Sequence, residues 1–152
     1  MLKSKRNFLI KSTCLIALSF ISSVNSVFAE WKESLFTHMD LNDLLSSLTN
    51  NNAPKESENI HIKAPEIAEN GAVVPVSVNT SIEDVTSISI IVDNNPSPLT
   101  SSFNINSQLE AYVSTRVKMA KSSNIIALVS TKDNKFFTAS KGIKVTIGGC
   151  GG

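Results

Sequence analysis

Val85-Thr86-Ser87-Ile88-Ser89-Ile90-Ile91-Val92 decides the fold. Ile88, Ile90 and Val92 fall on one side of an extended chain, with Ser87, Ser89 and Ile91 between them. That period of two belongs to a half-buried antiparallel strand. Working outward, the chain from residue 58 onward repeats the pattern in short runs of Val, Ile, Ser and Thr, broken by Gly, Pro, Asn and Asp. The runs predict strands over 58–63, 72–79, 85–93, 110–118, 124–131, 134–139 and 142–147. Turn residues separate them at Glu69-Asn70-Gly71, at Asp93-Asn94-Asn95-Pro96-Ser97-Pro98 and at Lys132-Asp133-Asn134. Seven strands in about ninety residues predict an all-β domain, an immunoglobulin-like antiparallel sandwich.

Ahead of the sandwich the period changes. From Glu30 to about Thr49, Leu41, Leu44, Leu45 and Leu48 form one apolar helical stripe, with Asp40 as the N-cap. Asn50-Asn51-Asn52-Ala53-Pro54 stops the helix and opens a polar linker, expected to be mobile, that runs through Glu58. Residues 1–29 read as a cleaved export signal: Lys3, Lys5, Arg6 and Lys11, then an apolar run too short to span a membrane, then Val27-Phe28-Ala29. Ser4-Lys5-Arg6-Asn7-Phe8-Leu9-Ile10-Lys11 is similar to a twin-arginine signal with Lys5 in place of the first arginine, and an ordinary Sec signal tolerates the same residues. The expected organisation is signal 1–29, helix and linker 30–57, sandwich 58–147 and a terminal segment 148–152. The expected location is the periplasm.

Charge and motif content remove several function classes. The 152 residues fit one domain with a single core. From Glu30 onward there are ten Lys or Arg and thirteen Asp or Glu, a net charge of −3 with no basic cluster, which argues against nucleic-acid binding. No phosphate-cradling glycine loop, nucleophile elbow or CxxC pair occurs. His38 and His61 read as surface or partly buried residues, and with one cysteine after the signal they make an all-protein zinc site improbable. The acid pairs Glu66/Glu69 and Glu83/Asp84 read as solvated turn residues. No metal and no cofactor are expected.

Val145-Thr146-Ile147-Gly148-Gly149-Cys150-Gly151-Gly152 has no structural explanation of that kind. Cys14 is expected to leave with the signal, so Cys150 remains as an unpaired thiol in an oxidising compartment. Glycines at 148, 149, 151 and 152 allow the widest backbone freedom and add no bulk beside the thiol. Five residues reach about 17 Å past the last strand. Such a tether suits a carrier that presents one covalently held group to several enzymes in turn. Cysteine suits a cargo that is itself sulfur, because a thiolate forms S–S bonds. The nearby carboxylate disfavours the thiolate, so activation is expected from the receiving enzyme. The bland alternative is a disordered tail whose cysteine makes an interchain disulfide. Other readings are a tethered binding module, a thiol enzyme lacking the rigid pocket it would need, and a ubiquitin-like carrier activated at its carboxylate.

The chain resembles the SoxY family of sulfur carriers in thiosulfate oxidation. The resemblance rests on Ile147-Gly148-Gly149-Cys150-Gly151-Gly152, on Pro65-Glu66-Ile67-Ala68-Glu69-Asn70-Gly71-Ala72-Val73-Val74-Pro75-Val76, and on Thr115-Arg116-Val117-Lys118-Met119-Ala120. It implies covalent attachment of sulfur intermediates at Cys150, with Gly148, Gly149, Gly151 and Gly152 as the carrier arm. It also implies a non-catalytic subunit paired with a separate SoxZ-like chain. SoxAX-, SoxB- and SoxCD-like enzymes would act on the cargo transiently, with no nucleic acid and no membrane as partner once the signal is removed. Strand surfaces such as 87–89 and 115–118 are not distinguishable in the sequence from ordinary solvent faces.

Overall fold

Val74, Val76 and Val78 alternate with Pro75, Ser77 and Asn79, and all three valines are buried. They lie in the smaller of two sheets in a computed structural model that describes residues 33–106 and 108–146. The strands are β1 (Lys55–Glu56), β2 (Ile60–Lys63), β3 (Ile67–Ala68), β4 (Val74–Thr80), β5 (Val85–Val92), β6 (Leu99–Asn104), β7 (Tyr112–Val117), β8 (Ser123–Thr131) and β9 (Phe136–Val145). One sheet runs β1-β9-β8-β5-β6, with β3 also on β9, and the other runs β2-β4-β7. The chain passes from sheet to sheet between β4 and β5, β6 and β7, and β7 and β8, as an immunoglobulin-like sandwich requires. Pairing is antiparallel except where β1 and β3 each run parallel to β9.

Two apolar layers account for the burial. Between the sheets, the β4 valines meet Ile88, Ile90 and Val92 of β5, Val113 and Val117 of β7, and Ile125, Ala127 and Val129 of β8. Outside the larger sheet, a short helix α1 (Leu41–Thr49) lays Leu44 on Ile91, Leu99, Leu128 and Phe136. Each such side chain contributes about 1.5–3 kcal/mol relative to an exposed one. The strand read as half-buried is therefore covered on both faces. Ile90 and Ile91 serve opposite layers, and the pairing with β6 shifts register between them. Ser89, at 3% exposure, belongs to the covered face and not to a solvent face.

The helix starts where its cap predicts: the Asn42 N–H donates to Asp40 Oδ1 at 2.9 Å. It does not run back to Glu30 as one piece, because Glu33–Phe36 forms a separate 3-10 turn. Asn50 ends it in the left-handed conformation at φ 52°. Part of the expected linker is an edge strand: β1 pairs with Phe137 and Thr138, and Ser57 N–H donates to Thr138 O at 2.9 Å.

Two strand expectations also change. Residues 134–139 and 142–147 are not two strands, since β9 continues unbroken through Gly142. The pairing of β8 with β9 runs from Ser123↔Ile143 to Ser130↔Phe136 and overrides the local break signal of Lys141-Gly142. β6 was not expected, because Leu99-Thr100-Ser101-Ser102-Phe103-Asn104 shows little apolar alternation and follows Pro98. Its order comes from β5, with Ser89 and Ser102 hydroxyls 2.9 Å apart across the pair.

Candidate functional site

β9 leads the chain toward Cys150, so its last residues define the base of the candidate site. On one side, β3 pairs Ile67 with Lys144 and Ala68 with Val145. Lys144 N–H donates to Glu66 O at 2.9 Å and Thr146 N–H to Ala68 O at 3.0 Å. The Thr146 hydroxyl adds a bond to Glu69 O at 3.1 Å. On the other side, Val145 N–H donates to Ser122 Oγ at 2.9 Å, and that hydroxyl lies 3.4 Å from Val145 O. Bonds from both flanks fix the strand through Thr146.

The segments that carry the sequence resemblance meet here. The turn before β4 is closed by Asn70, whose Oδ1 accepts from Ala72 N–H at 2.8 Å. Gly71 O in that turn accepts from Met119 N–H at 2.7 Å, and Met119 is fully buried. Asn95, from the β5–β6 turn, locks the same stretch: its Nδ2 donates to Lys118 O at 2.6 Å and its Oδ1 accepts from Ala120 N–H at 3.0 Å. Residues 65–72 and 118–122 thus form one hydrogen-bonded frame around the end of β9. The 115–120 stretch ends β7 and enters that frame at Lys118, Met119 and Ala120.

Cys150 and the glycines at 148, 149, 151 and 152 lie outside the described residues, as do residues 1–29, the expected export signal. His38 and His61 are exposed, and so are Glu66, Glu69, Glu83 and Asp84. Among the described residues, no three His, Cys, Asp or Glu side chains gather to hold a metal ion, and no helix is long and apolar enough to cross a membrane. Sequence reasoning missed Ser122 and Thr146, since one more serine in Lys121-Ser122-Ser123 carries no signal before β9 is placed beside it. An open cleft of about 370 Å³ lies against the frame, lined in part by Arg116, Lys118 and Ala120.

The fold and this anchored strand end define a small β-sandwich whose last described residue, Thr146, precedes Cys150 by four positions in the sequence. The family model of the sulfur oxidation protein SoxY matches residues 45–150, running through Cys150. The sulfur carrier protein SoxY from Chlorobium limicola f thiosulfatophilum is 43% identical, with a TM-score of 0.63 over 71% of this chain and 97% of that one. This chain belongs to the SoxY family of sulfur carriers, non-catalytic subunits of the Sox system. A superoxide reductase (neelaredoxin) from Ignicoccus hospitalis is 19% identical, with a TM-score of 0.52 over 58% of this chain and 80% of that one, a likeness of fold alone. A comparison with curated proteins gives no match.

Proposed function

We propose that this chain carries the intermediates of thiosulfate oxidation covalently on Cys150, in the periplasm. The observation that carries the reading is the family match that runs through Cys150. Loading joins the Cys150 thiolate to the sulfane sulfur of thiosulfate, giving Cys–S–S–SO3⁻ and releasing two electrons, which a haem-containing SoxAX-like enzyme accepts. Water then cleaves the S–S bond to the sulfonate in a SoxB-like enzyme, giving sulfate, two protons and a Cys–S–S⁻ persulfide. SoxCD-like enzymes take the remaining sulfane sulfur.

The chain's own part is presentation. Glycines on both sides of Cys150 leave the thiol without neighbouring bulk, which suits entry into narrow active sites. The bonds at Lys144, Val145 and Thr146 supply a fixed root for the arm. A SoxZ-like subunit, as a separate chain, completes the carrier, and residues 1–29 direct export. Cys150→Ser tests the reading: the variant keeps the melting temperature of the parent chain and takes up no sulfur from thiosulfate with the Sox enzymes. Sulfur loading on the variant would overturn it.

A further inference from the structure

We infer that Asn70-Gly71, in the turn before β4, is a modification site. There the folded chain converts Asn70 through a cyclic imide to aspartate and isoaspartate, and the isoaspartate form loosens the end of β9. This is the one Asn-Gly pair in the 152 residues. Gly71 has no Cβ beside its own nitrogen, so that nitrogen is the least shielded nucleophile that can follow an asparagine. The turn supplies what ring closure needs. Asn70 is exposed, and its Oδ1 accepts from the Ala72 N–H at 2.8 Å, which folds the side-chain carbonyl back over the Gly71 peptide. The same N–H polarises the carbonyl and stands ready for the negative charge that gathers on Oδ1 as its carbon is attacked. Among the described residues, the Gly71 N–H has no acceptor and the Asn70 Nδ2, the leaving group, has no partner. The nucleophile, the charge-stabilising donor and an exposed leaving group therefore meet in one turn.

Ring closure joins the Gly71 nitrogen to Asn70 Cγ and expels ammonia, which carries off the Gly71 amide proton. Water then opens the imide at either carbonyl. Opening at Cγ restores the ordinary backbone with aspartate at position 70, and opening at the main-chain carbonyl leaves isoaspartate, with the chain routed through Cβ and Cγ. Water is consumed and ammonia released, with no oxidant, reductant or cofactor. The two products differ in what they do to the frame. Aspartate keeps an acceptor for the Ala72 N–H. Isoaspartate inserts a methylene into the main chain between Glu69 and Gly71, and both neighbours hold frame bonds. Glu69 O accepts from the Thr146 hydroxyl at 3.1 Å, and Gly71 O accepts from the Met119 N–H at 2.7 Å. Met119 is fully buried in a close-packed core and does not follow a displaced carbonyl. The longer chain between the two carbonyls cannot hold both in place, so the isoaspartate form gives up the Met119 bond and with it part of the hold on Thr146.

The test incubates the full chain, folded and reduced, in mildly alkaline buffer, where loss of the amide proton speeds ring closure. Deamidation is followed by peptide mass, and isoaspartate by enzymatic methyl transfer. Modification at Asn70 is expected to outpace that at every other asparagine. Gly71 does not adopt a positive φ, so alanine suits its backbone conformation. Gly71→Ala is expected to slow the reaction roughly tenfold by shielding the nucleophile, a barrier increase of about 1.4 kcal/mol. In the isoaspartate fraction, amide exchange at Met119 is expected to accelerate roughly fivefold, the weight of one net hydrogen bond. Asn70→Asp, which reproduces the other product, is expected to keep the parent's exchange rate there. Modification of Asn70 only in urea-unfolded chain would overturn the inference, as would an unslowed Gly71→Ala or unchanged Met119 exchange in the isoaspartate fraction. The parent chain and Asn70→Asp decide the matter even where Gly71→Ala does not fold.

Discussion

Met119 donates its backbone N–H to the carbonyl of Gly71 across 2.7 Å, joining the loop after β7 to the turn before β4. Met119 fills the inter-sheet core at 0% exposure, so the bond is backed by packing on one side and by the Asn70 turn on the other. The consequence lies at β9, whose last residues bond to Glu66, Ala68 and Glu69 on one arm of this frame and to Ser122 on the other. The end of β9 is set by segments distant in sequence.

Ser122→Ala removes the acceptor of the Val145 N–H. The expected cost is about 1 kcal/mol, as for one net hydrogen bond. Amide exchange at Val145 should accelerate about fivefold by that same free energy while the β4 amides change little. Urea denaturation with residue-resolved hydrogen exchange checks both parts. Uniform acceleration across the sandwich would show that the root is not a local feature.

Leu44→Ala empties the contact between α1 and the outer face of β5, β6, β8 and β9. Leu44 is fully buried, so a loss of about 2–5 kcal/mol is expected in urea denaturation. A cost under about 1 kcal/mol would mean that the helix is only loosely docked.

Asp133, in the β8–β9 hairpin, is held below its ordinary carboxyl value of 3.8 by hydrogen bonding from Lys135 and then from the Thr131 hydroxyl, with burial opposing and the Lys135 charge assisting. A depressed folded value contributes stability above the unfolded value, and that contribution is lost as pH falls through the folded one. The carboxylate is exposed, so the effect is small and screened by salt. Asp133→Asn should therefore lower the melting temperature slightly at neutral pH, with the gap to the parent closing as pH falls below the ordinary carboxyl value of 3.8. Parallel melting curves across that range would contradict the assignment.

Legibility in the sequence followed the range of the interactions. The alternation in β4, the strand at β5, the leucine stripe of α1 and the Asp40 cap are local, and the structure repeats them. β6 and the short β1 and β3 depend on partners elsewhere in the chain, so Thr100-Ser101-Ser102 and Ile67-Ala68 carry little strand signal of their own. Ile91 read as a residue on the other side of a half-buried strand because the helix that covers it lies more than forty residues upstream. At the candidate site, Cys150 stood out through its glycine setting, whereas Ser122 and Thr146 gain meaning only from the pairing of β3 with β9.

The most direct measurement is the mass of the C-terminal peptide, taken from protein isolated from cells grown on thiosulfate. Covalent carriage predicts reductant-labile thiosulfonate, sulfane or S-sulfonate adducts confined to Cys150. A bare thiol, or only a disulfide to another chain, would contradict it and leave the protein as a tethered binding module.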